Sequence, residues 1–467
     1  MATLVADAPG AGTQRAKRSS FAYLTLTAFS ILYFARPEDV IPGLGAIPVG
    51  KITGGVALVA LICGLAGKSG SIKLPKELKI LLLFLGWLCI DIFFAFWRGG
   101  AFATVRDKYS KVVIVAFLVS LVVTSLAQLR RLLLIQAASV ALVTVVSILR
   151  YHGGRMSGVQ EGLLANPNDL AMNIALNWPL CLMFLLGTKN KLQKALWGLA
   201  LFVMLRGVML TYSRGGFLAL ALAMILCVWE FGLRGRRYYM LVIALLVVMS
   251  AAALAPGRYG KRLYSLVETQ QGDMDRHSLD QRENMLTQSL QVTADHPVFG
   301  VGPGNFAPYT KNWLVTHNTY TQLTSECGIP ALILFLLVLK RAFWNLRAIR
   351  KLGAYRQSSE VRLYTGGLWA SLGPYLLGAC FASTADQLFP YFMVAYTTAL
   401  YSITRNSANN EVMPVASPWQ GGTGRQIDRE GSGELVGSPL NVSRSFMRLK
   451  TDHTASNVGS CQVDRLA

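Results

Sequence analysis

The residue types able to do chemistry gather in one polar, glycine-punctuated stretch, residues 295–326, which reads DHPVFGVGPGNFAPYTKNWLVTHNTYTQLTSE and holds two of the chain's five histidines. His317 is its natural general base, because an imidazole with an ordinary pKa near ~6.5 accepts a proton at neutral pH. The competing account is an ordinary interfacial histidine. From Asn318 the run is compatible with a helix leading into an apolar segment. At about 100° per residue Asn318, Gln322 and Glu326 share one face, with His317 at the helix mouth. Gly300, Gly302 and Gly304 do not make a nucleotide loop, since no strand precedes them and Pro303 interrupts; they predict a tight re-entrant turn.

Fixed positive charge comes from elsewhere in the chain. In TYSRGG, residues 211–216, two apolar runs are joined by so short a turn that Arg214 stands at the outer membrane–water boundary, with Gly215 and Gly216 letting the backbone turn closely. There it either snorkels to the headgroups or, as a permanently charged bidentate donor, holds a lipid-linked diphosphate. Arg206, one to two turns deeper, is costly in hydrocarbon and is expected to face the bundle interior or water. In SLDQRENMLTQSLQV, residues 278–292, Leu279, Leu286 and Leu290 recur at helical spacing and Arg282 lies on their stripe. That position suits an anionic partner at the membrane surface, or an intramolecular salt bridge. In NPNDLA, residues 166–171, Asn168 or Asp169 either caps the following helix or contacts substrate. Asp273-Met274-Asp275 resembles a paired acidic metal motif, but so short a motif arises often by chance.

The elements that must position these groups are membrane helices. The chain of 467 residues is 53% hydrophobic and 15% charged, with mean hydropathy +0.41, too apolar for a soluble protein of this length. A net charge of +21 argues against nucleic acid here, because the basic residues fall in short clusters between apolar runs. Those runs lie at about 20–35, 52–67, 79–97, 111–127, 131–149, 170–187, 195–212, 215–233, 238–255, 329–346, 362–384 and 387–404. The expected fold is an all-α integral membrane protein with about 12 transmembrane helices and one long external loop, 256–328, containing short amphipathic helices. The first run lacks a cleavage site and reads as an uncleaved span. Most of the 45 Lys and Arg residues fall in loops that share a side with residues 1–19, which predicts cytoplasmic termini and an outward-facing loop. The membrane domain then covers 20–404. The Ser-, Gly- and Asn-rich tail, 405–467, is expected to be disordered. Cys63, Cys89, Cys181, Cys227 and Cys380 sit in apolar runs, where they read as small packing residues.

Taken together, NPNDLA, TYSRGG, Arg282 followed by DHPVFGVGPGNF, and HNTYTQLTSECG with Glu326 resemble, in order, the O-antigen ligase and polymerase superfamily of bacterial polytopic membrane glycosyltransferases. The resemblance covers about 166–339. It implies a bacterial inner-membrane enzyme with an external active site, in which Arg214 and Arg282 bind the diphosphate of an undecaprenyl-diphosphate-linked glycan. It implies that His317 activates the acceptor, supported by Asn318, Glu326, Asn168 and Arg206, with no metal, nucleotide sugar or other cofactor. The acceptor is a growing glycan, lipid A-core or a protein side chain; ligase is the first expectation and polymerase the second. Leu286, where the family often has tryptophan, and Cys327, where an aliphatic residue is usual, depart from the pattern. A transporter, the rival class, predicts internal repeats, broken mid-membrane helices and midplane charges. A scaffold predicts that His317 is dispensable.

Overall fold

The computed structural model describes residues 11–37, 49–66, 74–158, 166–242, 249, 273–312 and 314–412. Expectations for residues 1–10, for 256–272 of the external loop, for most of the run at 238–255 and for 413–467 lie outside the described residues. So do those for the side chains of Asp273, Asp275 and Leu279.

Among the described residues the regular structure is helical and no strand forms. The first half comprises α1 (Ala11–Ala35), α2 (Val49–Ala66), α3 (Lys76–Phe94), α4 (Arg98–Thr104), α5 (Ser110–Val122) and α6 (Leu126–Leu149), with a π-helical turn, Val105–Tyr109, joining α4 to α5. Then come α7 (Pro167–Gly187), α8 (Lys191–Thr211) and α9 (Arg214–Cys227), which continues through a π-helical turn, Val228–Leu233. The last part holds α10 (Asp273–Asp295), α11 (Phe306–Thr310), α12 (Thr319–Ile349), α13 (Gly353–Gln357), α14 (Ser359–Gly378) and α15 (Leu388–Val412).

Among the described residues five helices are long and apolar enough to cross a membrane by length and composition: α6, α7, α8, α9 with its π-helical extension, and α12. The all-α membrane class therefore holds, and the count of twelve spans is not confirmed. Residues 391–400 of α15 are buried without interruption, and α14 buries Thr365, Gly366, Gly367 and Ser371. Helices enclosed by other helices carry small and hydroxyl residues that let backbones approach, at the expense of hydropathy. Cβ atoms at Gly366 and Gly367 would press on Phe231 and Met183. Two boundaries also shift: α1 begins at Ala11, inside the expected tail 1–19, and α15 runs to Val412, inside the expected tail 405–467.

Helix α7, buried from Leu170 to Phe184, packs on α6, α8, α9 and α14, while α15 packs on α5, α12 and α14. Far from His317, ion pairs fasten the bundle. Arg341 bonds Glu77 at 3.1 Å, tying α12 to α3, and Arg234 and Arg350 both bond Glu230 at 2.9 Å, tying α12 to the end of α9.

Candidate active site

The site is built around a helix that breaks. In SECGIP the carbonyl of Glu326 would look four residues on to Pro330, which has no N–H. Gly328 takes φ 78° and ψ 169°, so α12 is two helical pieces meeting at that residue. The freed carbonyls are met from outside: Val301 N donates to Ser325 O at 2.9 Å, Gly302 N to Glu326 O at 2.7 Å, and Trp87 Nε1 to Cys327 O at 2.9 Å. Ile329 N donates to Pro297 O at 2.9 Å, so the segment 297–302 wraps the break like a sleeve. A Cβ on Gly300 would lie 2.5 Å from the Glu326 carbonyl carbon, and one on Gly328 would collide with Val298 O. The predicted re-entrant turn is present, and its glycines serve close backbone approach.

The sleeve packs against the bundle. Phe299 stacks on Trp87 and Phe94 with centroids 5.2 and 4.0 Å away, and Phe96 N donates to Val301 O at 2.9 Å. Irregular backbone is admissible at such a place because its polar groups are satisfied by protein.

The first piece of α12 presents His317. Asn318 is the N-cap, accepting from Tyr320 N at 2.9 Å and Thr321 N at 3.3 Å. His317 precedes it, half-buried, with φ 53°. The turn after α14 holds this tip in place: Thr319 N donates to Ala379 O at 2.8 Å, and its hydroxyl bonds Ala382 O at 2.6 Å and Thr384 at 2.9 Å. Burial, and next the charge of Arg282, push the His317 pKa below its ordinary 6.5.

Arg214 opens α9, whose N-cap Ser213 accepts from Gly216 N at 3.2 Å. The glycines after it again serve closeness: a Cβ on Gly215 would lie 2.6 Å from Phe381, and one on Gly216 would strike Ala171 of α7. Arg282, half-buried on α10, comes from the other direction, and α10 is tied to α12 by a 2.8 Å bond between Thr293 and Thr324. Burial, then the nearby charge of Arg214, lower the Arg282 pKa. Arg214, Arg282 and His317 thus stand within electrostatic reach in series, although about a hundred residues separate the first from the last.

The stripe expected on α10 lies on its exposed side. Leu286 and Leu290 are 39% and 53% exposed, whereas Met285, Ser289 and Val292 are buried. Arg282 stands on the border between these faces. Helices at a membrane surface meet two apolar surroundings, lipid and protein, so apolar periodicity alone does not say which face turns inward.

Residues 199–336 match the family model described as O-antigen ligase. That segment is similar to the O-antigen ligase family. It contains Arg206, Arg214, Arg282, His317, Asn318 and Glu326, while Asn168 precedes it. With the apolar helices, the match points to a bacterial membrane protein. No curated protein matches the chain.

Around the matched segment the remaining candidates fall at different depths. Asn168 is not the cap of α7; Asn166 is, accepting from Asn168 N at 2.9 Å, as Pro167 at the first helical position would signal. Asn168 Oδ1 instead accepts from Arg155 at 3.0 Å, and Arg155 also donates to Thr211 O at 3.2 Å. Arg155 therefore joins NPNDLA to TYSRGG, a role no local pattern announced. Arg206 is half-buried on α8, with one guanidinium nitrogen enclosed and without a hydrogen bond. Glu326, nine residues after His317 and so ~13 Å along the helix, accepts from Gly304 N at 3.1 Å beside the break. Lys108 and Asp386, paired at 2.6 Å, bridge the π-helical turn before α5 to the start of α15. A cavity of about 670 Å³ opens among α6, α7, α8 and α14, and neither His317 nor the two arginines lines it.

Proposed function

We propose that the protein transfers a preassembled glycan from undecaprenyl diphosphate to an acceptor hydroxyl or amine on the external face of the inner membrane, in the manner of an O-antigen ligase. The observation that carries this reading is that Arg282 on α10 lies within electrostatic reach of both Arg214 at the start of α9 and His317 at the tip of α12. Two guanidinium groups held near each other repel, and an anion between them turns that repulsion into binding.

In this reading the acceptor oxygen attacks the anomeric carbon while the bond to the diphosphate oxygen breaks. The leaving diphosphate takes the electron pair and is neutralised by Arg214 and Arg282. His317 takes the acceptor proton. Its burial and its cationic neighbour keep it neutral and ready at physiological pH. The bound diphosphate opposes the field of Arg282 and favours the imidazolium as it forms. The leaving group is already activated, so a base and electrostatic stabilisation suffice, contributing ~10²- to 10⁴-fold for the base and often more for the electrostatics.

A transporter reading gains one feature, the broken helix. Against it, the sleeve 297–302 and Trp87 occupy the carbonyls that a broken helix would offer a transported ion. Mass analysis of surface glycoconjugates after deletion of the gene tests the proposal. Accumulated lipid-linked polymer fits a ligase, single repeat units on the acceptor fit a polymerase, and an unchanged glycan profile contradicts both.

A further inference from the structure

Asp91 lies on α3, one turn beyond Trp87, and is 0% exposed. Neither of its carboxylate oxygens has a hydrogen-bond partner. It lies within electrostatic range of Glu326, whose own carboxylate is bonded by Gly304 N and has no ion pair among the described residues. The cation nearby, Lys108, is committed to Asp386 at 2.6 Å. Tyr109 sits beside Cys327, and Asn305, next to Gly304, has a buried side-chain oxygen without a partner. The buried, unpartnered Asp91 carboxylate thus lies one helical turn from Trp87, whose indole bonds Cys327 O beside Glu326 at the break in α12, in surroundings rich in acceptors.

Leaving one such charge buried and uncompensated costs several kcal/mol, so the pair must take up positive charge. We propose that Asp91 and Glu326 form a binding site for one exchangeable monovalent cation, H⁺ or Na⁺, where α3 packs against the break in α12. The donor set favours this class: oxygen ligands suit hard cations, and among the described residues no three His, Cys, Asp or Glu come together as a transition-metal site would need. The charged and titratable groups facing the site from the packed elements are Lys108 and Tyr109 before α5, Cys327 on α12, and Asp386 with Tyr391 at α15. The consequence is structural coupling. Glu326 belongs to the short helical piece whose other end presents His317, and Gly304, two residues beyond the sleeve that caps this piece, bonds the Glu326 side chain. Occupation of the site therefore fixes the piece that carries the base.

The test reads stability and not transfer, so it stands or falls apart from the proposed activity. The purified protein in detergent is unfolded thermally in sodium chloride and in choline chloride at equal ionic strength, across pH 5.5 to 9, beside Asp91→Asn. A ligand that binds only the folded state raises the midpoint by mass action. The expected result is a wild-type midpoint that falls as pH rises in choline, or that rises by ~2 °C or more with sodium, and an Asp91→Asn midpoint that has lost that dependence. Dependence on pH alone identifies the cation as H⁺, and dependence on sodium identifies Na⁺. Identical dependence in the two proteins overturns the proposal. If Asp91→Asn does not accumulate, infrared spectra of the wild type decide. A protonated-carboxyl band that exchanges in D₂O and vanishes with sodium or at high pH supports the site, and a spectrum without such a band and unmoved by sodium overturns it.

Discussion

At the scale of single residues the account turns on charge. Arg282 is half-buried and repelled by Arg214, an arrangement that makes sense for a planar fork gripping two phosphate oxygens and less for a point charge. Arg282→Lys is therefore expected to lower kcat/KM for glycan transfer by ~10- to 100-fold, the loss of one charge-assisted contact, in an assay with purified protein and lipid-linked donor. Full activity would reduce Arg282 to a salt-bridge partner. The histidine gives a pH prediction. Since burial and Arg282 lower the His317 pKa, the free enzyme holds the base unprotonated down to pH values below 6.5, and kcat/KM is expected to fall only beneath that point. Once donor is bound the diphosphate offsets Arg282, so the acid limb of kcat is expected at higher pH than that of kcat/KM. Limbs at the same pH would show that no anion sits between Arg282 and His317. These three residues were legible in the sequence because each combines an unusual type with an unusual place. Asp91 and Arg155 were not, because what singles them out is a partner, or the lack of one, across the bundle.

At the scale of elements the structure turns on the break in α12. Its cause could be read from SECGIP, and the glycines of FGVGPGNF predicted a tight turn, but that the two motifs clasp each other was not legible. Hydrogen bonds between segments some twenty residues apart leave no periodic trace. Gly328→Ala puts a Cβ onto Val298 O at a φ that side chains rarely adopt. Strain and overpacking together predict a loss of ~3 kcal/mol or more, measured as a lowered unfolding midpoint and less monodisperse protein after extraction. A midpoint equal to wild type would mean that the break is not rigid. The amphipathic reading of α10 left open whether its stripe faces lipid or protein, and Leu286 and Leu290 are exposed while Met285 and Val292 pack inward.

At the scale of the whole molecule, hydropathy established a helical membrane protein, and five of the described helices meet the length and composition of a membrane span. Enclosed helices such as α14 and α15 pack through small and hydroxyl residues. A border residue of α10 lies within electrostatic reach of both the tip of α12 and the start of α9, and we propose that glycan transfer takes place there with His317 as base. The most direct measurement is the surface glycoconjugate profile of cells carrying His317→Ala, with membrane insertion verified in the same cells. The account predicts normal insertion, loss of product by ~10²-fold or more and accumulation of lipid-linked glycan. Product near the wild-type level from an inserted His317→Ala protein would contradict it.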